Sequence, residues 1–506
     1  MVLTFLLTLT GCTVRKVQQL PAASVPQPQS ERIVGITTLQ GVDVSFDPPG
    51  ATIANGSVHG WVNKSTYDIS MTQVQRLWID KEEISTARTI GLVAGITVPI
   101  VIIAVVAAEV DKKTTTPAPT TTTTSGTGAG SCPYIYSWDG TRYVFEAEPY
   151  GGAITRGLER DDYSELGELR EQDGRYKLRM TNEVDETQMT NLTELWVVDH
   201  PAGTRVVPDV DGRLHTVSAQ QGLLSAHDAQ GHDLLPWLRS NDHLIWEPPA
   251  VPDANGSLQG DIIMTFPKPA GATQVKLVAN AATGLWGSIM IKKIVALRGR
   301  EAGLFYFALN HSSAAREQLT AWEERDELYR LKVYVEEPTG WQVRGVLPGT
   351  GTFNSSDRIL PLDVSRVQGD QLRIRIHPPA GFWALNSFAV DYSADRQVTV
   401  QKVKPASAQD LQGRDVLPEL AGVDRRYLAM PNIGDTADLT FLAPAGKEGM
   451  DRAVFLHSRG YYKLHIDATG EPDKKMLTAF DKVPGSAARY AAAQYGQQQI
   501  ALRQGP

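Results

Sequence analysis

Nineteen consecutive residues, Ile90 to Ala108, carry no charge, and only Thr97 and Pro99 interrupt their apolar run. As a helix this stretch extends roughly 28 Å at ~1.5 Å per residue, enough to cross a hydrocarbon core. Few soluble cores hide a helix that is apolar on every face. Pro99 kinks such a helix without forbidding it in lipid, and Gly91 and Gly95 form a GxxxG step that lets a second helix approach. The same small residues would also suit a buried helix in water. The pattern predicts a transmembrane-like helix over 88–109, and a chain divided there is not one domain.

Directly after it, Thr114-Thr115-Thr116-Pro117-Ala118-Pro119-Thr120 runs on into Thr121 to Thr124. Such a tract buries no core, so 110–130 reads as an extended linker and the main boundary. The remaining length and the 42% hydrophobic content suffice for three or four ordinary domains. The net charge of -8 comes without any Lys/Arg-rich run that would neutralise a phosphate backbone, so nucleic acid is not an expected partner.

The only two cysteines are Cys12 and Cys132. Cys12 closes an apolar run from Val2 that ends in Leu9-Thr10-Gly11-Cys12, which resembles the lipobox of bacterial lipoproteins. That resemblance implies a signal peptide over 1–12, a palmitate-type lipid anchor on Cys12 and, with Thr13 following it, outer-membrane sorting. Cys132 is then a lone thiol, best read as a small buried residue. The polar, Pro-rich 13–31 (Pro21, Pro26, Pro28) reads as a structureless tether.

The fold class expected from the rest is mainly β. Short strand-like runs over 32–82, with Asn55-Gly56 between two of them, suit a small SH3-like or LSm-like barrel. From Ser131, alternation around Asp139-Gly140, Asp173-Gly174 and Asp211-Gly212 predicts antiparallel hairpins. The expected order is a β-sandwich over 131–300, with Ile289 to Leu297 as one of its strands, then a helical connection over 301–328. A second, jelly-roll-like sandwich over 329–470 and a C-terminal helical tail over 471–506, interrupted at Pro484-Gly485, complete it.

Residues of the types that carry chemistry are few. His215, His227, His232 and His243 lie close in sequence beside Asp228, Asp233 and Asp242, yet they match no zinc-ligand spacing, and His227 to Asp233 reads as a polar turn. Asp209-Val210-Asp211-Gly212 begins like a calcium loop but lacks the further ligands, and the acidic run Glu159 to Glu165 reads as a solvated loop. No GxSxG, P-loop or GxGxxG follows a strand, so no catalytic residue, metal or cofactor is expected. Phe382 and Trp383, on a Gly/Pro-rich loop before a strand, are the one candidate ligand site, as a platform for a sugar ring. The alternative is that they plug the end of a sandwich.

The stretch Cys132 to Glu159, which contains Ser137-Trp138-Asp139-Gly140-Thr141-Arg142-Tyr143, together with Leu285-Trp286-Gly287, Gly381-Phe382-Trp383 and Val454 to Tyr462, resembles a family of uncharacterised bacterial envelope lipoproteins. The likeness covers most of 131–480 and implies no activity or functional residue. The stretch Ile359 to Tyr392 also resembles a galactose-binding jelly roll at the level of fold. The expectation is a non-catalytic, membrane-anchored lipoprotein presenting β-rich domains as a structural or interaction module in the cell envelope, with the membrane, glycans or envelope proteins as partners. A carbohydrate-binding protein and a hydrolase without a recognisable motif are the alternatives. A lipid on Cys12 outside the membrane and a spanning helix would together place the C-terminal region in the cytoplasm. Arg88 and Lys81 on one side of that helix, against Lys112 and Lys113 on the other, leave its orientation open.

Overall fold

The computed structural model describes residues 13–21, 32–39, 43–47, 50–54, 56–62, 64–84, 133–242, 244–249, 257–353 and 356–504. The signal peptide, Cys12, the apolar segment 88–109, the linker and Cys132 lie outside them. Among the described residues no helix is long and apolar enough to cross a membrane. The chain is mainly β and forms two compact units, one over 13–84 and a larger one over 133–240 and 245–504.

The smaller unit holds β1 (Thr13–Pro21), β2 (Arg32–Thr38), β3 (Asp43–Ser45), β4 (Thr52–Ala54), β5 (Ser57–Val62), β6 (Ser65–Ser70) and β7 (Val74–Ile84). They make a four-stranded sheet, β1-β7-β2-β3, and a three-stranded sheet, β4-β5-β6, which the Ile33–Ala51 bridge links without closing a barrel among the described residues. Ile33, Ile36, Val58, Leu77 and Ile79 form the shared core. Gly35 is required at the tightest point, since a Cβ there would lie 2.3 Å from Cε3 of the buried Trp78. The tether reading fails for Thr13–Pro21, which pairs along β7 from Thr13↔Ile84 to Pro21↔Arg76. Thr13, Val14 and Val17 favour extended backbone and no proline precedes Pro21, so the run is competent to add a strand.

The larger unit begins with β8 (Tyr134–Trp138), β9 (Tyr143–Ala147), β10 (Arg160–Glu165), β11 (Arg175–Thr181) and the long β12 (Glu186–Pro201). Next come β13 (Arg205–Pro208), β14 (Leu214–Val217), β15 (Ser225–Asp228), β16 (Ile262–Pro267) and β17 (Gln274–Thr283). Three helices follow, α1 (Leu285–Ala296), α2 (Ala302–His311) and α3 (Ser313–Asp326), before β18 (Arg330–Glu337), β19 (Gly340–Pro348), β20 (Asp357–Asp363), β21 (Gln371–Ile376) and β22 (Trp383–Asp391). The chain returns through β23 (Thr399–Val403), β24 (Pro405–Asp410), β25 (Leu428–Met430), β26 (Thr436–Leu442) and β27 (Met450–Leu464), and ends in α4 (Lys474–Lys482) and α5 (Ser486–Gln504).

These strands form two sandwiches, one nested in the other. The outer one faces sheet β24-β26-β11-β8-β9 against β10-β27-β12-β23, with β25 also on β12, around Leu178, Leu195, Val197, Leu439, Phe441 and Leu456. The inner one faces β15-β16-β21-β18-β19 against β20-β17-β22 around Phe266, Leu277, Val333, Ile374 and Phe388. The consecutive division into 131–300 and 329–470 is therefore corrected. β12 takes its neighbours β27 and β23 from beyond the whole inner sandwich, a pairing that local alternation cannot signal.

Local signals were more dependable. Asp173 and Gly174 have φ of 53° and 72°, the left-handed pair of a tight hairpin turn that closes Gln172 on Arg175. Asp139 instead closes a wider loop, its Oδ1 accepting from the backbone N–H of Thr141 (2.7 Å) and Arg142 (2.8 Å). The helical connection splits at Ser312, whose Oγ caps α3 by accepting from Ala315 N at 3.2 Å. The tail breaks at Pro484-Gly485 as expected, and Phe480, Ala487 and Ala491 pack into the inner core. The expected strand Ile289 to Leu297 is helix α1. Its β-branched run misleads because Met290 and Ile294 face the inner core while Ile291 and Val295 face the outer sandwich, so burial on two sides outweighs propensity. The acidic run Glu159 to Glu165 is likewise not a loop but contains β10, its charges met by Arg160, Arg459 and His457.

Candidate functional site

The three helices between β17 and β18 meet the turn after β9 around a small cavity of about 40 Å³. On α3 Leu319, Trp322 and Glu323 recur at i, i+3 and i+4, which places them on one face. Ile291, Ile294 and Val295 of α1, with Arg298 just beyond it, form the opposite wall, and Phe305 of α2 and Ile154 complete it. Its walls are mainly apolar, and its volume suits a few water molecules rather than a small-molecule ligand.

The polar groups differ in how far they are partnered. The indole Nε1 of Trp322 is buried and makes no hydrogen bond, while its ring lies on Phe480 at 5.9 Å. Arg298 sits with its guanidinium 3.7 Å from the Phe305 ring centre, donates to the carbonyl of Ile294 at 3.2 Å and is attracted by the Asp481 carboxylate. Burial lowers its pKa. Glu323 has no hydrogen-bonded or ion-paired partner among the described residues, and burial pushes its carboxyl up to about 7. Tyr329 is occupied, donating to the carbonyl of Gly287 at 2.8 Å.

A second group lies on the outer sandwich. β27 runs between β10 and β12, so His457 is flanked by Tyr163 on one side and Glu194 on the other. Its Nδ1 lies 2.8 Å from Glu194 and its Nε2 2.9 Å from Asp161, and its ring stacks on Tyr163 at 4.6 Å. Burial disfavours the imidazolium, but hydrogen bonds and attraction from Asp161 and Glu194 outweigh it and raise the His457 pKa. For Asp161 and Glu194, His457 helps to overcome the opposite effect of burial and both pKa values fall. The histidine contribution to stability is therefore full below the ordinary 6.5 and lost as pH rises through the raised value. The carboxylate contribution is lost on the acid side, as pH falls through the lowered values. Unfolding in denaturant between pH 6 and 9 is expected to show wild-type stability falling by less than ~1.4 kcal/mol per pH unit, solvent screening included. His457→Gln flattens that fall; an unchanged slope would remove His457 as its source.

The residues expected from sequence do not assemble. Phe382 and Trp383 are both fully buried, so the sugar-platform reading is corrected: neither ring offers a face to a ligand. Trp383 Nε1 donates to the carbonyl of Glu327 at 2.8 Å, and Phe382 packs edge-on to Tyr329, because the chain turns inward at Gly381 to close the inner sandwich. His215 bonds to Asp395 (2.8 Å) and Asp209 (3.2 Å), whereas His232 bonds to Asp228 (2.7 Å) within a turn, and His243 lies outside the described residues. Among the described residues no three His, Cys, Asp or Glu groups converge as a metal site. Asp209 closes the β13–β14 turn by accepting from Asp211 N and Arg213 N. Nothing in Glu323-Glu324-Arg325 marks which acid turns inward. The chain matches no protein-family model, and no curated protein is similar enough to match it.

Proposed function

We propose that this chain is a non-catalytic, membrane-anchored lipoprotein of the bacterial cell envelope, whose larger unit serves as a structural or interaction module. The reading takes the buried His457 group as structural, since both of its ring nitrogens are engaged by carboxylates within the sheet. An interaction role is supported by Leu304 and Phe307, 70% and 62% exposed one turn apart on α2, an apolar pair that a partner surface would cover. Anchoring rests on the lipobox-like Leu9-Thr10-Gly11-Cys12.

A reporter active only outside the cytoplasm, fused after Pro506, together with metabolic lipid labelling, tests this. The expected result is an active reporter and labelling that disappears in Cys12→Ala. A silent reporter without labelling would place the larger unit in the cytoplasm and end the envelope reading.

A further inference from the structure

We propose that Thr187, with His465 and Asp185, is an acyl-acceptor site: its hydroxyl takes the acyl group of an activated ester and holds it as a threonine ester. Neither the lipobox, the α2 surface nor His457 takes part. The site therefore adds a covalent modification to the module and does not depend on how the chain is anchored.

Strand pairing brings the residues together. β12 and β27 run antiparallel with Thr187 opposite Lys463 and Glu186 opposite Leu464, so one step further Asp185 and His465 face each other where the ladder ends. Side chains two residues apart leave a strand on one face, and those of opposed residues share it. Asp185, Thr187, Lys463 and His465 are thereby gathered on one face of the sheet. Lys292 of α1 joins them, its Nζ 3.3 Å from Asp185.

Their hydrogen bonds run in the order that activates a hydroxyl. His465 Nε2 lies 3.0 Å from Thr187 Oγ1, and His465 Nδ1 lies 2.8 Å from Asp185 Oδ1. A carboxylate at Nδ1 holds the ring proton there and leaves Nε2 to accept the threonine proton. Burial would raise the Asp185 pKa, but the bond to His465 and the attraction of Lys292 outweigh it and hold the carboxyl below its ordinary value. His465 and Asp185 are 42% and 44% exposed and Thr187 is half-buried, so an ester reaches the hydroxyl without the protein opening.

In the transfer, Thr187 Oγ1 bonds to the acyl carbon while its proton passes to His465 Nε2. The tetrahedral adduct then breaks its bond to the leaving oxygen, which takes that proton from the imidazolium and departs as an alcohol or phenol. Lys463 stands on the same face to meet the oxyanion. The site is open to water, where such a charge contact is weak, so one transfer per chain is expected rather than turnover.

The test is incubation of the full-length chain with p-nitrophenyl acetate, followed by intact mass and peptide mapping. One acetyl group is expected on the peptide that holds Thr187, labile to hydroxylamine as an ester is and an amide on Lys463 is not. Thr187→Val, which keeps the branched shape of the strand residue, should lose it. His465→Gln should slow it roughly a hundredfold, the low end for loss of a general base, with thermal melts showing that both variants fold. Phenol release that continues past one equivalent and stops in Thr187→Val would uphold the site and overturn the non-catalytic reading instead. No ester on Thr187, or an equal rate in His465→Gln, would overturn the proposal.

Discussion

Trp383→Ala is expected to destabilise the larger unit by ~3–5 kcal/mol, the range for removing a large buried aromatic ring. The ring is fully buried in the inner core, and its Nε1 is satisfied by the Glu327 carbonyl, so alanine leaves both a cavity and an unanswered acceptor. Glu327 matters in its own right, since it ends α3 in the left-handed region at φ 53° and its carboxylate accepts from Tyr334 at 2.9 Å and from Lys332 N at 3.0 Å. Loosening the carbonyl therefore disturbs the start of β18 as well. Denaturant unfolding measures the effect, and Trp383→Phe, which keeps most of the volume, should lose less. A Trp383→Ala protein as stable as wild type would mean that the ring is surface-accessible after all and would reopen the sugar-platform reading.

A larger loss is expected from ending the chain after Ala394. The remaining residues still include all strands of the inner sandwich but remove β23 to β27, both long-paired neighbours of β12 and the partner of β10. The sixteen-residue β12 would then expose backbone donors and acceptors on both edges, together with core residues Leu195 and Val197. Cooperative unfolding of the outer sandwich should disappear, and limited proteolysis should cut within 134–201. Retention of a protected 134–201 fragment would show that this segment folds without its distant partners. Removal of α4 and α5 alone should be milder for the outer sandwich, since Phe480, Ala487 and Ala491 belong to the inner core.

Where a signal is local, the sequence is readable. Gln371–Ile376 alternates cleanly and is a strand over those residues, and the helix break at Pro484-Gly485 follows from backbone chemistry. Where the answer depends on what lies across from a residue, it is not. Ile289 to Leu297 looked extended because its branched side chains suit a sheet, yet two cores, one on each side, hold it helical. The acidic run at Glu159 looked solvated because Arg459 and His457, which neutralise it, lie some three hundred residues away. The cavity is illegible for the same reason: Arg298, Trp322 and Ile154, which line it, come from three separate segments.

Nesting also imposes a schedule. Asp199 and Arg452, bonded across β12 and β27, are 253 residues apart. At ~5–20 residues per second of synthesis, the first half of the outer sandwich waits roughly 10–50 s for the second. During that interval the strands of the inner sandwich, contiguous in sequence, can pair, although Phe480, Ala487 and Ala491 complete their core later, whereas β12 emerges early and stays without its partner. The oldest strands of the larger unit are thus the ones that need shielding longest.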